Sequence, residues 1–337
     1  MKTPHLLARA LSEPWALMPE RMAAYASVLA SHYAGTLPPA APAAPDRHAA
    51  LLAQVQAAVS RSSGGSRAGG IAVVPVFGAI VEWASDIDIC DGGTSTRQVA
   101  QALLDAESDE TVGQILMVYN TPGGSVYGTQ EVGDVINKVK ASKPVIGVAQ
   151  SLAASAGYWM LAQCTEAYCA PGGEVGSIGV YSGYQNIAKA LAAAGVDVRL
   201  FSAGKFKTEL SPFSADGISE EAASYQEQRA QDYYTAFTSA VAKGRKAPIA
   251  QVRDGMGQGR VLGADAALAA GMIDGIMTME QVVAKMQRDA KSSRSASARA
   301  DGDLLPTVSA ATADAADAQA ITRAAAARRR DLDLLGL

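Results

Sequence analysis

Ala149-Gln150-Ser151-Leu152-Ala153-Ala154-Ser155-Ala156-Gly157-Tyr158 is the stretch whose reading decides the rest of the chain. A β-rich run, Pro144 to Ala149, leads into it, and an apolar helical pattern (Tyr158, Trp159, Leu161, Ala162) leaves it. Ser155 therefore falls at a strand-to-helix junction. The first amides of a helix have no intrahelical acceptor, so a nucleophile placed there has oxyanion donors beside it. A plain helix N-cap serine in a small-residue packing site reads equally well from these ten residues alone.

The flanking sequence repeats the alternation. Ile71 to Val81 reads as a buried strand ending in a turn. Residues 94–107 carry an N-cap candidate, Thr94 or Ser95, and Val99, Leu103 and Ala106 at helical spacing. Ile115 to Tyr119 is a strand that runs into Asn120-Thr121-Pro122-Gly123-Gly124-Ser125-Val126. A helix with Val132, Val135, Ile136 and Val139 on one face follows. After Cys169 come Gly172 to Val180, a helix near Tyr184 to Ala194, and a strand Val196 to Phe201. Helical patterns then cover Ser219 to Lys243, Ile249 to Met256 and Gly263 to Ala270, and Val282 to Met286 closes the ordered part. Strand–helix alternation of this kind predicts an α/β fold with a mostly parallel sheet and right-handed crossovers.

Outside this core the composition changes. Residues 1–35 read as a helical extension split by Pro14 and Pro19, and 36–69 as a Pro/Ala and Ser/Gly linker with a short helix. The core is assigned to 70–287. Residues 288–337 form a low-complexity tail, expected to be disordered over 291–312, with a short alanine-rich helix over 314–330.

Composition bounds the function. The chain has 337 residues, 49% of them hydrophobic, and a net charge of −4, which neither demands nor excludes nucleic acid. Three cysteines, Cys90, Cys164 and Cys169, read as reduced, buried thiols, not a disulfide framework or a metal site. No run of about 18 apolar residues exists to span a membrane, and Met1 to Leu17 lacks the apolar centre of a secretory signal. The expectation is a cytoplasmic protein. His5, His32 and His48 all precede the core. A Ser–His–Asp triad within the core is thereby excluded, and lysine becomes the obvious base for an activated serine.

Three glycine-rich loops follow strands, where ligands bind in open α/β sheets. They are Pro122-Gly123-Gly124, the Ser155 turn, and Gly176-Ser177-Ile178-Gly179. Consecutive glycines let backbone amides face a substrate, and none of the three fits a dinucleotide or Walker pattern.

Four ordered motifs carry a resemblance: Asn120-Thr121-Pro122-Gly123-Gly124-Ser125-Val126, Ala153-Ala154-Ser155-Ala156-Gly157-Tyr158, Gly176-Ser177-Ile178-Gly179-Val180 and Gly204-Lys205-Phe206-Lys207-Thr208. Over roughly residues 70–280 the chain resembles the signal peptide peptidase A-like serine peptidases, which have the Clp protease/crotonase fold. Gly259-Arg260-Val261 and Ala270 to Asp274 look like that family's closing segment. The resemblance implies Ser155 as nucleophile, Lys207 as general base and Ser177 as the residue orienting the lysine amine. The amides of Gly124 and Ala156 would form the oxyanion hole, with Gly123 shaping the loop. Ala156 stands where a glycine is usual, and Thr121 where serine is common. Spacing alone leaves Lys205 a rival base, since on an extended segment it shares a face with Lys207.

No cofactor is implied. The N-terminal extension and Ala/Arg-rich tail look like those of phage and prophage head-maturation proteases, which cleave scaffolding, portal or capsid proteins. That implies protein substrates and a homo-oligomer, with the helix-rich region 219–256 as interface, and no need for nucleic acid or membrane. Substrate is expected to bind extended, as an added strand beside Gly123-Gly124. The alternatives are a cytosolic bacterial peptidase of the same type, an acyl-CoA enzyme sharing the fold, and a non-catalytic assembly protein.

Overall fold

The computed structural model describes residues 14–20, 22, 53, 70–83 and 93–302, with side chains as far as Ser292. Residues up to Ala290 form one unit, and Lys291–Leu337 a second. Cys90, the expected linker helix (apart from residue 53) and the expected 314–330 helix lie outside the described residues.

The first unit is built on a mostly parallel sheet. Strands β2 (Gly70–Phe77), β5 (Val112–Thr121) and β7 (Val145–Ala154) lie side by side and parallel. Their crossovers are α1 (Thr96–Ser108) and α2 (Thr129–Val139). Helix α1 buries Thr96, Val99, Leu103 and Ala106, and α2 buries Val132, Ile136 and Val139, one stripe each at helical spacing. Period-two alternation along β5 sends Ile115, Met117 and Tyr119 to the core under these helices. Leu116 and Val118 go to the opposite face, against Met279, Val282, Val283 and Met286.

β7 forks. Its first half pairs with β8 (Glu166–Cys169) and its second half with β9 (Glu174–Gly176), all parallel. Between the halves the register against β5 jumps from Tyr119↔Ala149 to Asn120↔Leu152, leaving Gln150 and Ser151 as a bulge. The Ser151 hydroxyl donates to Asn120 Oδ1 at 2.7 Å across it. A bulge re-aims the strand beyond it, and here that strand ends at Ala154, directly before Ser155.

A second, four-stranded sheet has the order β1-β6-β3-β4. Its members are Trp15–Leu17 (β1), Ile80–Val81 (β3), Thr94–Ser95 (β4) and Gly123–Ser125 (β6). The strand expected as Ile71 to Val81 is thus two, broken at Gly78, whose φ of 62° turns the chain into the second sheet. The helical reading of the N-terminal extension fails at Trp15–Leu17, which is strand between Pro14 and Pro19.

Two further expectations are corrected. Val196 to Phe201 forms no strand: among the described residues no strand pairs with it, and Val196, Leu200 and Phe201 are exposed, Phe201 by 88%. The last helix, α8 (Met279–Gly302), continues past 291, where disorder was expected.

The remaining elements are α3 (Ala156–Leu161), α4 (Ala188–Ala193), α5 (Glu220–Arg245), α6 (Ile249–Gly255), β10 (Val261–Gly263), α7 (Ala264–Ala269) and β11 (Gly275–Ile276). Helix α5 docks on α3 through Phe237, stacked on Trp159 with centroids 4.5 Å apart. An added Cβ on Gly244 would collide with the Ala162 carbonyl, so the two backbones touch there. No helix among the described residues is long and apolar enough to cross a membrane.

Asp274 pins the closing segment. It takes both Arg245 guanidinium nitrogens, at 2.9 and 2.8 Å, and the Ala167 N–H at 2.7 Å. Burial pushes its carboxyl up, but Arg245 and the Ala167 amide more than offset this and hold it below the ordinary value. A depressed folded value adds stability at neutral pH that is lost as pH falls through it. Asp274→Asn strands a guanidinium that is only 8% exposed. The expected loss at pH 7 is about 2 kcal/mol, discounted from a fully buried pair because Asp274 is partly solvated. Urea unfolding at pH 7 and below the carboxylate range checks this, and the difference between the proteins should shrink at the lower pH.

Candidate active site

The backbone at Ser155 is the structural centre of the site. β7 ends at Ala154 and α3 begins at Ala156, leaving Ser155 with φ 53° and ψ −115°. These are the dihedrals that a type II′ turn asks of glycine. A non-glycine residue there costs on the order of 1–3 kcal/mol and persists only where its surroundings over-determine it. The Ser155 N–H donates to Gly176 O at 2.7 Å, tying the turn to the end of β9. Although Ser155 occupies the N-cap position, its side chain makes no cap bond. Its Oγ reaches Gly179 O at 3.5 Å, a long and weak interaction. The cap reading therefore fails, and the hydroxyl is spare in a wholly buried residue.

The other glycine-rich loops meet this turn. Gly123 has φ 98°, and a Cβ built on it would stand 2.9 Å from Ser155 Cβ. Its N–H is taken by Thr121 Oγ1 at 3.1 Å, and that hydroxyl in turn donates to Gly78 O. Thr121 thus sets the loop, which makes its difference from serine a mild one. Gly124 is packed so closely that an added Cβ would collide with the Ile80 backbone. Ser177 repeats the left-handed conformation at φ 55° and donates its N–H to Arg260 O at 2.8 Å. Ser155, Ala156, Gly123, Gly124 and Ser177 are therefore gathered in one place, at the ends of β7, β6 and β9.

Lys207 is not gathered with them. It is exposed, in a turn closed by its own N–H donating to Gly204 O at 3.2 Å, and its amine has no hydrogen bond or ion pair among the described residues. Lys205, on the same turn, is paired with Glu221 at 3.2 Å and lies over the Phe206 ring. The extended segment that would set the two lysines on one face is absent.

Nearby titratable groups are inert. Burial raises the Tyr158 phenol, which donates to Met272 O at 3.0 Å. Burial likewise pushes the Cys164 thiol up to about 12 and the Cys169 thiol to about 11, so neither is a nucleophile at neutral pH. Both are free and buried, as expected. Among the described residues no cluster of three or more metal-ligating side chains occurs.

Sequence reasoning missed what pairs with the Gly123-Gly124 loop. β1 pairs antiparallel with β6, so a strand of the chain's own N-terminal segment lies beside Gly123-Gly124. The only signal was the proline at either end of an otherwise apolar stretch.

The chain is similar to known peptidases. Residues 137–293 match the model of peptidase family S49, and 86–175 that of Clp protease. Over 328 residues the chain is 29% identical to the capsid assembly protease C of Escherichia phage lambda, covering 93% of this chain and 72% of that protein. It is 29% identical to the head-tail preconnector protein GP5 of Enterobacteria phage P21, over 63% of this chain and 43% of that one. Protease 4 of Haemophilus influenzae is 30% identical over 65% of this chain, and the chain spans 34% of it. The chain thus spans less than half the length of the latter two relatives. A solved ClpP1 mutant of Listeria monocytogenes superposes with a TM-score of 0.39 at 15% identity, over 61% of this chain and 91% of that one.

Proposed function

From a chain whose residues 137–293 match the peptidase family S49 and whose α/β fold is of the Clp protease kind, we propose a serine peptidase, specifically a Ser–Lys endopeptidase that cleaves scaffolding and other head proteins during phage capsid maturation. The observation that carries the nucleophile is Ser155 itself: a strained, buried serine with no cap bond, against a double-glycine loop.

In this reading Lys207 removes the proton from Ser155 Oγ as the oxygen attacks the scissile carbonyl carbon. The Gly124 and Ala156 N–H groups hold the oxyanion, and Ser177 orients the amine. The proton passes to the leaving amine, and water later hydrolyses the acyl-enzyme by the same route in reverse. An ordinary lysine is charged at neutral pH, so the base has to be desolvated to work. The exposed Lys207 is compatible with this only if its turn is covered in the working assembly. The exposed apolar residues around it, Val196, Leu200, Phe201 and Phe206, suit such covering in a homo-oligomer. The substrate reading is supported by the names of the two phage relatives. The protein would work without cofactor, in the host cytoplasm, within the assembling particle.

The test is co-expression of the wild type or Ser155→Ala with the neighbouring capsid and scaffold genes, followed by intact-mass analysis of the particles. Serine-dependent cleavages of head proteins are expected. Identical masses in both samples, with particles assembled, would overturn the maturation role.

A further inference from the structure

β1 lies where a substrate strand is expected to lie. It pairs with β6 in the register Trp15↔Ser125, Ala16↔Gly124 and Leu17↔Gly123, antiparallel. Its other edge is also taken: the Trp15 N–H donates to Tyr181 O at 2.8 Å, and the Tyr181 N–H to Trp15 O at 3.0 Å. The grip extends one residue each way. The Met18 N–H donates to Pro122 O at 3.0 Å, and the Val126 N–H to Pro14 O at 3.4 Å. Backbone pairing on both sides, independent of side chains, is how an extended peptide is held in a groove.

The side chains and the carbonyl fit as well. Ala16 is fully buried and Leu17 is 2% exposed. A Cβ built on Gly123 would collide with the Ala16 carbonyl oxygen, and the same point is 2.9 Å from Ser155 Cβ. The Ala16 oxygen, Gly123 and the Ser155 Cβ thus crowd one spot, which puts the Ala16 backbone beside the Ser155 turn. Meanwhile the proposed base, Lys207, stands in solvent.

We propose that Pro14–Met18 is a built-in inhibitory strand that occupies the substrate groove and excludes extended peptides until it is withdrawn. The proposal rests on reading the Gly123/Ser155 groove as the substrate site, and it deepens that reading. A competing substrate would be an extended segment with a small residue where Ala16 sits and an apolar one after it. Because the Lys207 amine is exposed and makes no hydrogen bond to Ser155, the Ala16–Leu17 bond is held, not cut. The strand belongs to a segment far from β2 in sequence and forms one edge of its sheet. It can therefore leave without breaking the β2-β5-β7 pairing.

Peptide binding tests this without needing catalysis. A fluorescein-labelled peptide of the sequence Ser12 to Glu20 is titrated against the full-length Ser155→Ala protein, with anisotropy as readout and a scrambled peptide as control. Two further substitutions are each added to that background. Trp15→Pro removes the N–H that reaches Tyr181 O, and Ala16→Arg puts a long charged side chain where there is no room. An occupied groove lowers apparent affinity by the fraction of time it is open. Both variants should bind the peptide at least tenfold more tightly than the parent while unfolding cooperatively on heating. Equal affinities in all three proteins would overturn the proposal. So would loss of binding together with loss of cooperative unfolding, since the strand would then be a support of the groove. A Ser155-dependent cut after Ala16 in the purified wild type would overturn it too, making the strand a substrate. Peptidase activity is measured separately, and its absence would sink the nucleophile reading without touching the binding result.

Discussion

Ser155→Ala is expected to lower peptide hydrolysis on the order of 10⁵-fold or more, because losing the nucleophile of such a site costs about as much as losing its whole catalytic group. The residual rate would come from the oxyanion donors and binding alone. Ser155→Gly should be equally inactive, yet the two variants should differ in stability. Alanine keeps a Cβ at φ 53° and ψ −115°, where glycine has none to clash. The glycine variant is expected to be about 1 kcal/mol more stable than the alanine variant, against the usual penalty for added glycine. Hydrolysis of a fluorogenic peptide and urea unfolding check the two halves together. An inactive Ser155→Gly protein that gains stability would show that backbone strain is maintained at this residue for the sake of its hydroxyl. A glycine variant less stable than the alanine one would mean that the turn carries no such strain.

Lys207→Ala is expected to lower the rate by about 10³-fold, within the range of a lost general base. Lys205→Ala should change it by less than about twofold, because Lys205 is engaged in an exposed pair with Glu221. The two lysines are two positions apart and equally conspicuous in the sequence, so the contrast is a sharp one. A kcat loss with unchanged KM in Lys207→Ala would mark a group that acts on the transition state. Equal losses from both lysines would point to a general electrostatic role for the turn. If neither mattered, another residue would have to serve as base.

The sequence made the central sheet legible because its elements are local and strongly patterned. Val99, Leu103 and Ala106, and likewise Val132, Ile136 and Val139, announce helices that bury one stripe. The unbroken run Ile115 to Tyr119 announces a strand covered on both faces. The Ser155 junction and its flanking glycine loops were legible for the same reason: each is a turn whose backbone demands are written in adjacent residues. What escaped was non-local. Trp15–Leu17 is too short and too proline-bound to read as a strand, and its partner β6 lies more than a hundred residues away. The bulge at Gln150–Ser151 exists only because β7 changes neighbours from β8 to β9, which no single-strand pattern records. Val196 to Phe201 shows the reverse failure: its residues favour a strand, but no strand among the described residues pairs with it. The position of Lys207 is non-local in the same sense, since nothing within its turn says what covers it.

The edge position of β1 in its sheet has a consequence for solubility. When Trp15–Leu17 leaves, β6 becomes an edge with unpaired N–H and C=O groups, lined by glycines and free of charge along Gly123–Ser125. An edge of that kind recruits whatever extended chain is nearby, including a second copy of the same protein. The groove proposed to admit a substrate backbone would therefore also be an aggregation-prone surface. An unlatched form would be tolerated best where extended substrate chains greatly outnumber it.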